Sequence, residues 1–546
     1  MRNHLFLCLF SLMLMLSCGT KHNDGGKSVF RFNLAEGITS LDPAFARSQT
    51  NIWACNQLYN GLVQFDKYLK VQPSIAKSWS IDDDAKRYTF TLRQDVFFHP
   101  HKLFGEENSR AVVADDFVYS LKRILDPKTV SPGAWIFQNV AKNGSGDYAI
   151  TAPNDSTLVI ELTKPFGPFL GLLSSIYCCV VPPEIVNHYG KDFRVNPIGT
   201  GAFKYFLWVE QNALIFHKYE NYFEFDGAQR LPYLDAVSIS FINDKQATFL
   251  EFIKGNLDFI NAVDASFKDD LLTRDGRMRA KYHGKFKMES EPFLNTEYLG
   301  IQIDSTHEVM QGNPLRIQKI RQAINYGFDR KKMITYLRNS IGTPAEFGFI
   351  PPGLPSFDSV EVKGYNYNPE KAKALLAEAG FENGNGLPQI VLSTTPQYLD
   401  LCEYILGELD DIGIDIKIEV NQGAALREMV SKQAVSFFRA SWIADYPDGE
   451  NYLSLFYSKN KAPNGPNYTH YDNREFDELY EQSLGEANDS LRLDLYKQMN
   501  RMIIEDAPVV LLYYDQILRL YHHNIKGLES NAMNWLTLKK VKKEIK

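Results

Sequence analysis

Residues 435–448, VSFFRASWIADYPD, decide the fold of the C-terminal half of this chain. The apolar residues over 435–442 predict a buried strand, and Asp445 follows just beyond its carboxyl end. In open α/β sheets, ligands bind in the crevice outside the carboxyl ends of the strands. This stretch therefore predicts an α/β sheet with a charged ligand-binding group at its edge.

Strands and helices alternate around this stretch. Residues 389–393 and 414–420 predict two strands that flank a helix. Before them, residues 368–380 predict a helix that begins at an asparagine N-cap and ends at a glycine. This order of strand, helix and strand predicts an open α/β sheet in the C-terminal half.

The N-terminal half carries shorter elements. Residues 88–92 alternate as a half-buried strand does, and residues 115–125 predict an amphipathic helix that Asp115 caps. The glycine-rich residues 196–202 predict a turn. They are no phosphate loop, because residues 203–208 look extended and a phosphate loop opens directly into a helix.

The N-terminal end predicts targeting rather than folding. Arg2 precedes an apolar run over residues 5–16, which is too short to span a bilayer. A small residue then precedes Cys18, as in bacterial lipoprotein signals, so residues 1–17 are expected to be the signal peptide and Cys18 the acylated residue. Residues 18–28 predict a flexible tether. An ordinary secretory signal is the alternative.

Length and composition bound the remaining possibilities. The 546 residues exceed the roughly 250–300 at which one hydrophobic core stops growing, so more than one lobe is expected. The net charge of −7, without a lysine- and arginine-rich block, argues against nucleic acid as a partner. The cysteines after the leader form no CxxC motif and have no zinc-binding spacing, so no metal or cofactor is expected.

Several motifs along the chain resemble one family. They occur in the order LDP at 41–43, PSIAKSW at 73–79, NPIGTG at 196–201, EFIKGNLD at 251–258 and WIADY at 442–446. In this order they resemble the extracellular solute-binding proteins of bacterial peptide ABC importers, family 5. The resemblance covers about residues 30–520 and implies a binding protein, not an enzyme, that captures short peptides for the permease subunits.

The same resemblance implies a fold and a location. The expected fold is an α/β periplasmic-binding-protein fold of type II, cluster C-like, with two lobes, hinge strands and an extra domain. The protein is then expected to be a monomer, periplasmic or at the cell surface, and anchored to the membrane as a lipoprotein. The expected boundaries are 29–70, 193–285 and 511–546 for lobe I, 71–192 for the extra domain and 286–510 for lobe II.

The candidate site residues lie in the segment 439–445, RASWIAD. It is similar to the oligopeptide-binding members, in which the aspartate pairs with the peptide's α-ammonium and an arginine can meet its carboxylate. Asp445 and Arg439 fill these positions. A zwitterion that enters a closed cleft needs a partner for each charge. Trp442 is expected to form a wall beside the peptide, and Ser441 to hydrogen-bond its main chain.

Each of these assignments has a structural alternative. Asp445 could belong only to a turn, Arg439 could form only a structural ion pair, and Trp442 could be core. Two histidines, His99 and His101, lie near acids and could hold a metal, but an exposed loop is the favoured interpretation.

The sequence also departs from the oligopeptide-binding pattern. Gly133 stands where those members carry a tyrosine, and Gly423 and Val430 stand where a tryptophan and a second arginine are expected. Trp135 or Arg427 could substitute, although surface packing explains both equally well. Peptide length and side-chain preference therefore stay open.

Two rival functions remain at this point. One is the same family role with another ligand, such as a nickel chelate, haem or an oligosaccharide, although a neutral sugar does not need the carboxylate of Asp445. The other is a hydrolase, against which stands the lack of a GxSxG or HExxH motif. The sequence does not reveal the permease, the membrane that carries the lipid, or cysteine pairing.

Overall fold

A computed structural model describes residues 25–486 and 488–545 of the chain. The predicted signal peptide and Cys18 lie outside the described residues. Within these two ranges, no helix has the length and apolar character needed to cross a membrane.

The protein is a mixed α/β structure, as predicted. Its strands, in chain order, are β1 (Val29–Asn33), β2 (Val63–Phe65), β3 (Val71–Pro73), β4 (Ala76–Ile81), β5 (Arg87–Leu92), β6 (Ile150–Asn154), β7 (Thr157–Glu161), β8 (Phe203–Val209), β9 (Ala213–Lys218), β10 (Phe225–Asp226), β11 (Gln229–Arg230), β12 (Ala236–Ser240), β13 (Phe259–Asn261), β14 (Phe286–Ile301), β15 (Thr343–Pro344), β16 (Ile390–Thr394), β17 (Ile416–Val420), β18 (Phe437–Ile443), β19 (Val509–His522), β20 (Ile525–Lys526) and β21 (Lys542–Lys543).

The α-helices pack around these strands. In chain order they are α1 (Gln49–Leu58), α2 (Ala114–Leu125), α3 (Phe169–Leu172), α4 (Pro183–Tyr189), α5 (Lys245–Ile253), α6 (Ala265–Leu271), α7 (Gln318–Tyr326), α8 (Arg330–Arg338), α9 (Pro369–Glu378), α10 (Leu399–Asp410), α11 (Gly423–Ser431), α12 (Glu450–Leu453), α13 (Arg474–Gly485) and α14 (Asp489–Asp506).

One eleven-stranded sheet runs through the molecule in the order β17-β16-β18-β14-β19-β13-β1-β12-β9-β8, with β15 paired to β19. At its centre, the long strands β14 and β19 pair antiparallel from Phe286 opposite His522 to Gly300 opposite Val509. One end of β19 pairs with β13, and the far end of β14 pairs with β18. These two strands therefore join a first half, β13 to β8, to a second half, β18 to β17.

The two halves have largely separate hydrophobic cores, although Tyr446 of the second half packs in the cluster of the first. One large buried cluster contains Phe30 and Phe32 of β1 and continues into the four-stranded sheet β4-β5-β7-β6 through Phe90. The second half is built on other clusters, which contain Leu299 and Leu294 among their buried residues. Separate cores are what two lobes require. The domain boundaries given above stay a prediction.

The C-terminal elements form where the sequence predicts them. Helix α9 begins after Asn368, whose side chain accepts a hydrogen bond of 3.0 Å from the amide of Lys371. Strands β16 and β17 match the two predicted strands to within two residues at each end. Local signals thus suffice here, because caps and alternating burial act within a few residues.

Helix α2 forms as predicted, but the prediction that Asp115 caps it is wrong. The N-cap residue is Val113, and the carboxylate of Asp116 accepts a hydrogen bond of 2.9 Å from the Val113 amide. Asp116 is also held by Arg110, at 2.7 Å. The helix therefore begins one residue earlier, because the acid three positions beyond the N-cap satisfies its free amide.

The prediction of an exposed loop around the two histidines is wrong for His99. Its side chain is buried, and its Nε2 lies 2.9 Å from the carbonyl of Gly201. Burial lowers the pKa of His99 to about 4. His101 instead accepts a hydrogen bond from the amide of Leu103. Among the described residues, no group of three or more His, Cys, Asp or Glu side chains is arranged to hold a metal ion.

Candidate functional site

Strand β18 positions the candidate site. It pairs with β14 over its whole length, but on its other side it pairs with β16 only at Phe438, opposite Ser393. The prediction of a buried strand therefore holds for Phe437 and Phe438 alone, and residues 439–443 are half-buried or exposed. The physical reason is that β16 ends at Thr394, one residue beyond this pairing, which leaves the outer edge of residues 439–443 without a strand partner among those described.

Asp445 lies in the turn that follows β18, where the sequence places it. Asn451 fixes this turn, because its Oδ1 accepts hydrogen bonds from the Asp445 amide at 3.1 Å and from Nε1 of Trp442 at 2.9 Å. The Asp445 side chain is exposed at a cavity, although protein atoms lie close enough around it to desolvate its carboxylate. This desolvation raises its pKa, against the lowering effect of a hydrogen bond with Asn451. No described lysine or arginine forms an ion pair with it.

The cavity has a volume of about 910 Å³ and lies on the strands that join the halves. Phe293 of β14 and residues 515–518 of β19 form part of its wall. Ligand pockets of this size hold small molecules or short peptides, and they commonly lie where two lobes meet. Its lining is strongly aromatic and includes Trp53, Phe65, Trp135, Tyr177, Phe293, Tyr446 and Trp535.

Arg439 is engaged within the protein. Its guanidinium donates a hydrogen bond to the carboxylate of Glu297 in an ion pair, and it lies 3.2 Å from the centre of the Tyr398 ring. Both charged side chains are largely buried, at 13% and 4% exposure. Burial raises the pKa of Glu297, and Arg439 acts in the opposite direction. Arg439 does not line the described cavity, so its placement matches the structural ion pair that the sequence left open.

Trp442 and Ser441 flank Asp445 without lining the cavity. Trp442 packs against the buried cluster that contains Leu294, and its indole is tied to Asn451. Ser441 lies opposite Glu297 in the β14–β18 pair. Of the four predicted ligand-binding residues, Asp445 is thus the one whose side chain borders the described cavity.

Tyr177 is a cavity residue that sequence reasoning missed. A side chain at Gly133 would place its Cβ 2.5 Å from Cγ of Tyr177, so Tyr177 takes the space that a larger residue at 133 would need. Nearby, Trp135 lines the cavity and stacks on Tyr446 with 5.9 Å between ring centres. Arg427, the other proposed substitute, is exposed and is not part of this lining. Only the folded chain shows that residues 133 and 177 share one space.

Comparisons with known proteins agree on one family. The model for bacterial extracellular solute-binding proteins, family 5 Middle, matches residues 70–464. The dipeptide-binding protein DppE of Bacillus subtilis is 27% identical over 543 residues, which cover 95% of this chain and 92% of that protein. Heme-binding protein A of Haemophilus influenzae is 28% identical over 507 residues, or 90% and 87% of the two chains.

A solved structure also superimposes on this one. The unliganded open form of MppA, a periplasmic murein tripeptide binding protein, gives a TM-score of 0.79 at 23% identity and covers 95% of this chain and 98% of its own. This likeness confirms the predicted α/β periplasmic-binding fold.

Proposed function

This chain belongs to the bacterial extracellular solute-binding proteins of family 5, and on that premise we propose that it captures short peptides between its two halves. It delivers them to the permease subunits of an ABC importer and catalyses no reaction. Closure of the two halves around a peptide excludes water from the cavity. Closure is favoured to the extent that the peptide contacts both halves.

Asp445 carries this proposal. Its carboxylate has no cationic partner among the described residues, and it borders a cavity with mostly apolar and aromatic walls. A carboxylate that loses its water on closure needs a compensating positive charge, because an unpaired buried charge is costly. The α-ammonium of a peptide supplies this charge and is common to all peptides with a free N-terminus.

The open edge of β18 supports an extended ligand. Residues 439–443 have an edge to which no described strand pairs, and they lead directly to Asp445. An extended peptide can add to such an edge through main-chain hydrogen bonds, with Ser441 as one partner. Trp442 supports the turn through Asn451. A contact between Arg439 and the peptide carboxylate stays a prediction, and its ion pair with Glu297 favours the structural role.

The proposal extends to the location of the protein. Acylation of Cys18 would anchor it at the periplasmic or outer surface of a membrane, with residues 18–28 as a tether, and it would act as a monomer. The similarity to DppE, a dipeptide-binding protein, supports the peptide class.

Haem or a similar flat aromatic solute is the second candidate. The aromatic lining of the cavity favours it, and one relative is named as a heme-binding protein. The negative charge of Asp445 opposes an anionic solute, whereas it favours a peptide ammonium.

Calorimetric titration of the purified protein tests the proposal. The ligands are Ala-Phe, N-acetyl-Ala-Phe and haem, and the variants are Asp445→Asn and, as a matched control, Asp83→Asn in an exposed turn. We expect acetylation to weaken binding to the wild type and to Asp83→Asn by about tenfold or more, because a hydrogen-bonded charge is lost. Asp445→Asn should bind both peptides with similar, weak affinity.

Two results would contradict the proposal. Equal affinity for the free and acetylated peptides would remove the ammonium role of Asp445. Binding of haem together with failure of all peptides to bind would favour the second candidate instead.

A further inference from the structure

The described lining of the cavity contains three charged side chains, Arg47, Asp445 and Asp515. Asp515 is already paired, because Nη2 of Arg338 donates a hydrogen bond of 2.8 Å to its Oδ1. Arg47 forms no ion pair with any described acid, and neither does Asp445 with any described base. The cavity therefore presents one cation and one anion that the protein itself leaves unpaired.

These two charges come from different halves of the molecule. Arg47 follows a short 3-10 helix, Pro43–Phe45, beside the core of the first half. This segment is held in place, since Asp42 pairs with Arg123 and the hydroxyl of Ser131 donates a hydrogen bond of 2.6 Å to the carbonyl of Ala44. Asp445 follows β18 of the second half. A ligand that meets both charges thus bridges the two halves.

Tyr177 lies within electrostatic reach of both groups. Its pKa is raised to about 12, chiefly by burial, while Arg47 lowers it and Asp445 raises it. Tyr177 also lines the cavity, so the two charges act on the same interior rather than on separate surfaces. The position of Tyr177 therefore shows that Arg47 and Asp445 belong to one site.

We infer that Arg47 binds a carboxylate of the ligand while Asp445 binds its ammonium. This inference rests on the proposed peptide-binding function and gives it a second charged contact. Arg439, which the sequence offers for this role, is occupied by Glu297. A planar guanidinium can form two parallel hydrogen bonds with a carboxylate, so Arg47 suits the negative group both in charge and in shape.

The carboxylate can come from two sources. It is the C-terminus if the peptide is only two or three residues long, and it is an acidic side chain if the peptide is longer. The cavity of about 910 Å³ favours a short ligand. Arg47 and Asp445 lie too far apart to form an ion pair with each other across the cavity. In either case the two charged groups of the ligand must therefore also lie apart.

A double comparison of protein and ligand tests the inference. The variants are Arg47→Gln, Arg47→Lys and the control Arg474→Gln, which removes an exposed arginine whose ion pair among the described residues is with its helix neighbour Glu478. Each is titrated calorimetrically with Ala-Phe and Ala-Phe amide, and with the tetrapeptide amides Ala-Glu-Ala-Ala and Ala-Gln-Ala-Ala. Circular dichroism verifies that every variant is folded.

For a terminal carboxylate, we expect amidation of Ala-Phe to weaken binding to the wild type by about tenfold to a hundredfold. Arg47→Gln should lose this difference, Arg47→Lys should keep part of it, and Arg474→Gln should keep all of it. For a side-chain source, the same pattern should appear between the glutamate and glutamine tetrapeptides.

The titrations distinguish a failure of this inference from a failure of the proposed function. If Arg47→Gln discriminates both ligand pairs as the wild type does, Arg47 binds no carboxylate, although peptide capture at Asp445 still stands. If no peptide binds to the wild type, the proposed function fails and this inference fails with it.

Discussion

Three acidic side chains near β18 differ in the partners that the protein provides for their carboxylates. Glu297, on β14 beside β18, is paired with Arg439. Glu450, five residues beyond Asp445, is buried and accepts hydrogen bonds from the hydroxyls of Tyr446 and Tyr480. Asp445 borders the cavity and has neither a cation nor a tyrosine as a partner. The difference separates acidic side chains whose partners lie within the protein from one that is left for a ligand.

The largest expected effect comes from breaking the first pair. Arg439→Met leaves Glu297 buried without its cation, which should lower the free energy of unfolding by about 3–5 kcal/mol. Chemical denaturation followed by circular dichroism measures this loss. The double variant Glu297→Gln/Arg439→Met should recover most of it, because no charge is then left buried. Equal stability of Arg439→Met and the wild type would show that the pair does not stabilise the fold.

The second effect is a pH dependence that arises from Glu450. Burial raises its pKa to about 7, against the lowering effect of the two tyrosines, whereas an unfolded glutamate has a pKa of about 4.3. The folded state therefore binds this proton more tightly, so its contribution to stability is fully present below about pH 4. It is lost as the pH rises through about 7.

Between about pH 4 and about pH 8 this loss amounts to about 3 kcal/mol. Denaturation curves across this range, compared with those of Glu450→Gln, isolate it from the other titrating groups. The variant should lack this part of the pH dependence. If the stability of Glu450→Gln depends on pH in the same way as that of the wild type, a group other than Glu450 causes the effect.

The smallest effect on stability is expected at Asp445. Because its carboxylate has no charged partner among the described residues, and an amide oxygen can keep its hydrogen bond with Asn451, Asp445→Asn should change the free energy of unfolding by no more than about 0.5–1 kcal/mol. The same variant should lose discrimination between free and acetylated peptides. A loss of several kcal/mol in the free energy of unfolding, measured without ligand, would show that Asp445 stabilises the fold as Glu297 does. That result would contradict the distinction drawn between the three acids.

Local signals in the sequence predict much of the fold. Asn368 caps its helix as predicted, and the alternating residues 88–92 form β5, because such effects depend on neighbours in the chain. The collinear motifs indicate the family and its architecture. The N-cap of α2 is Val113, two residues before the predicted Asp115, because Asp116 satisfies the free amide from within the first turn and the cap position then needs no acid.

Contacts between distant residues explain what the sequence could not predict. Arg439 meets Glu297 across 142 positions of the chain, and a motif cannot reveal that such a partner exists. The relation between Gly133 and Tyr177 is equally non-local. The position of Asp445 after β18 could be predicted because it follows the end of a strand, whereas no local signal marks Arg47 as a residue that borders the cavity.

The pairing of β14 with β19 is interrupted between Pro292 and Thr296, next to Phe293 in the cavity wall. A ladder bends more readily where its hydrogen bonds lapse. If the two halves close around a solute, we therefore expect them to bend at this interruption, beside the cavity, and not at a remote linker. A small difference in the thickness of a solute at this point would then move the outer ends of both halves by a larger distance, so solutes of different size would give closed molecules of different shape.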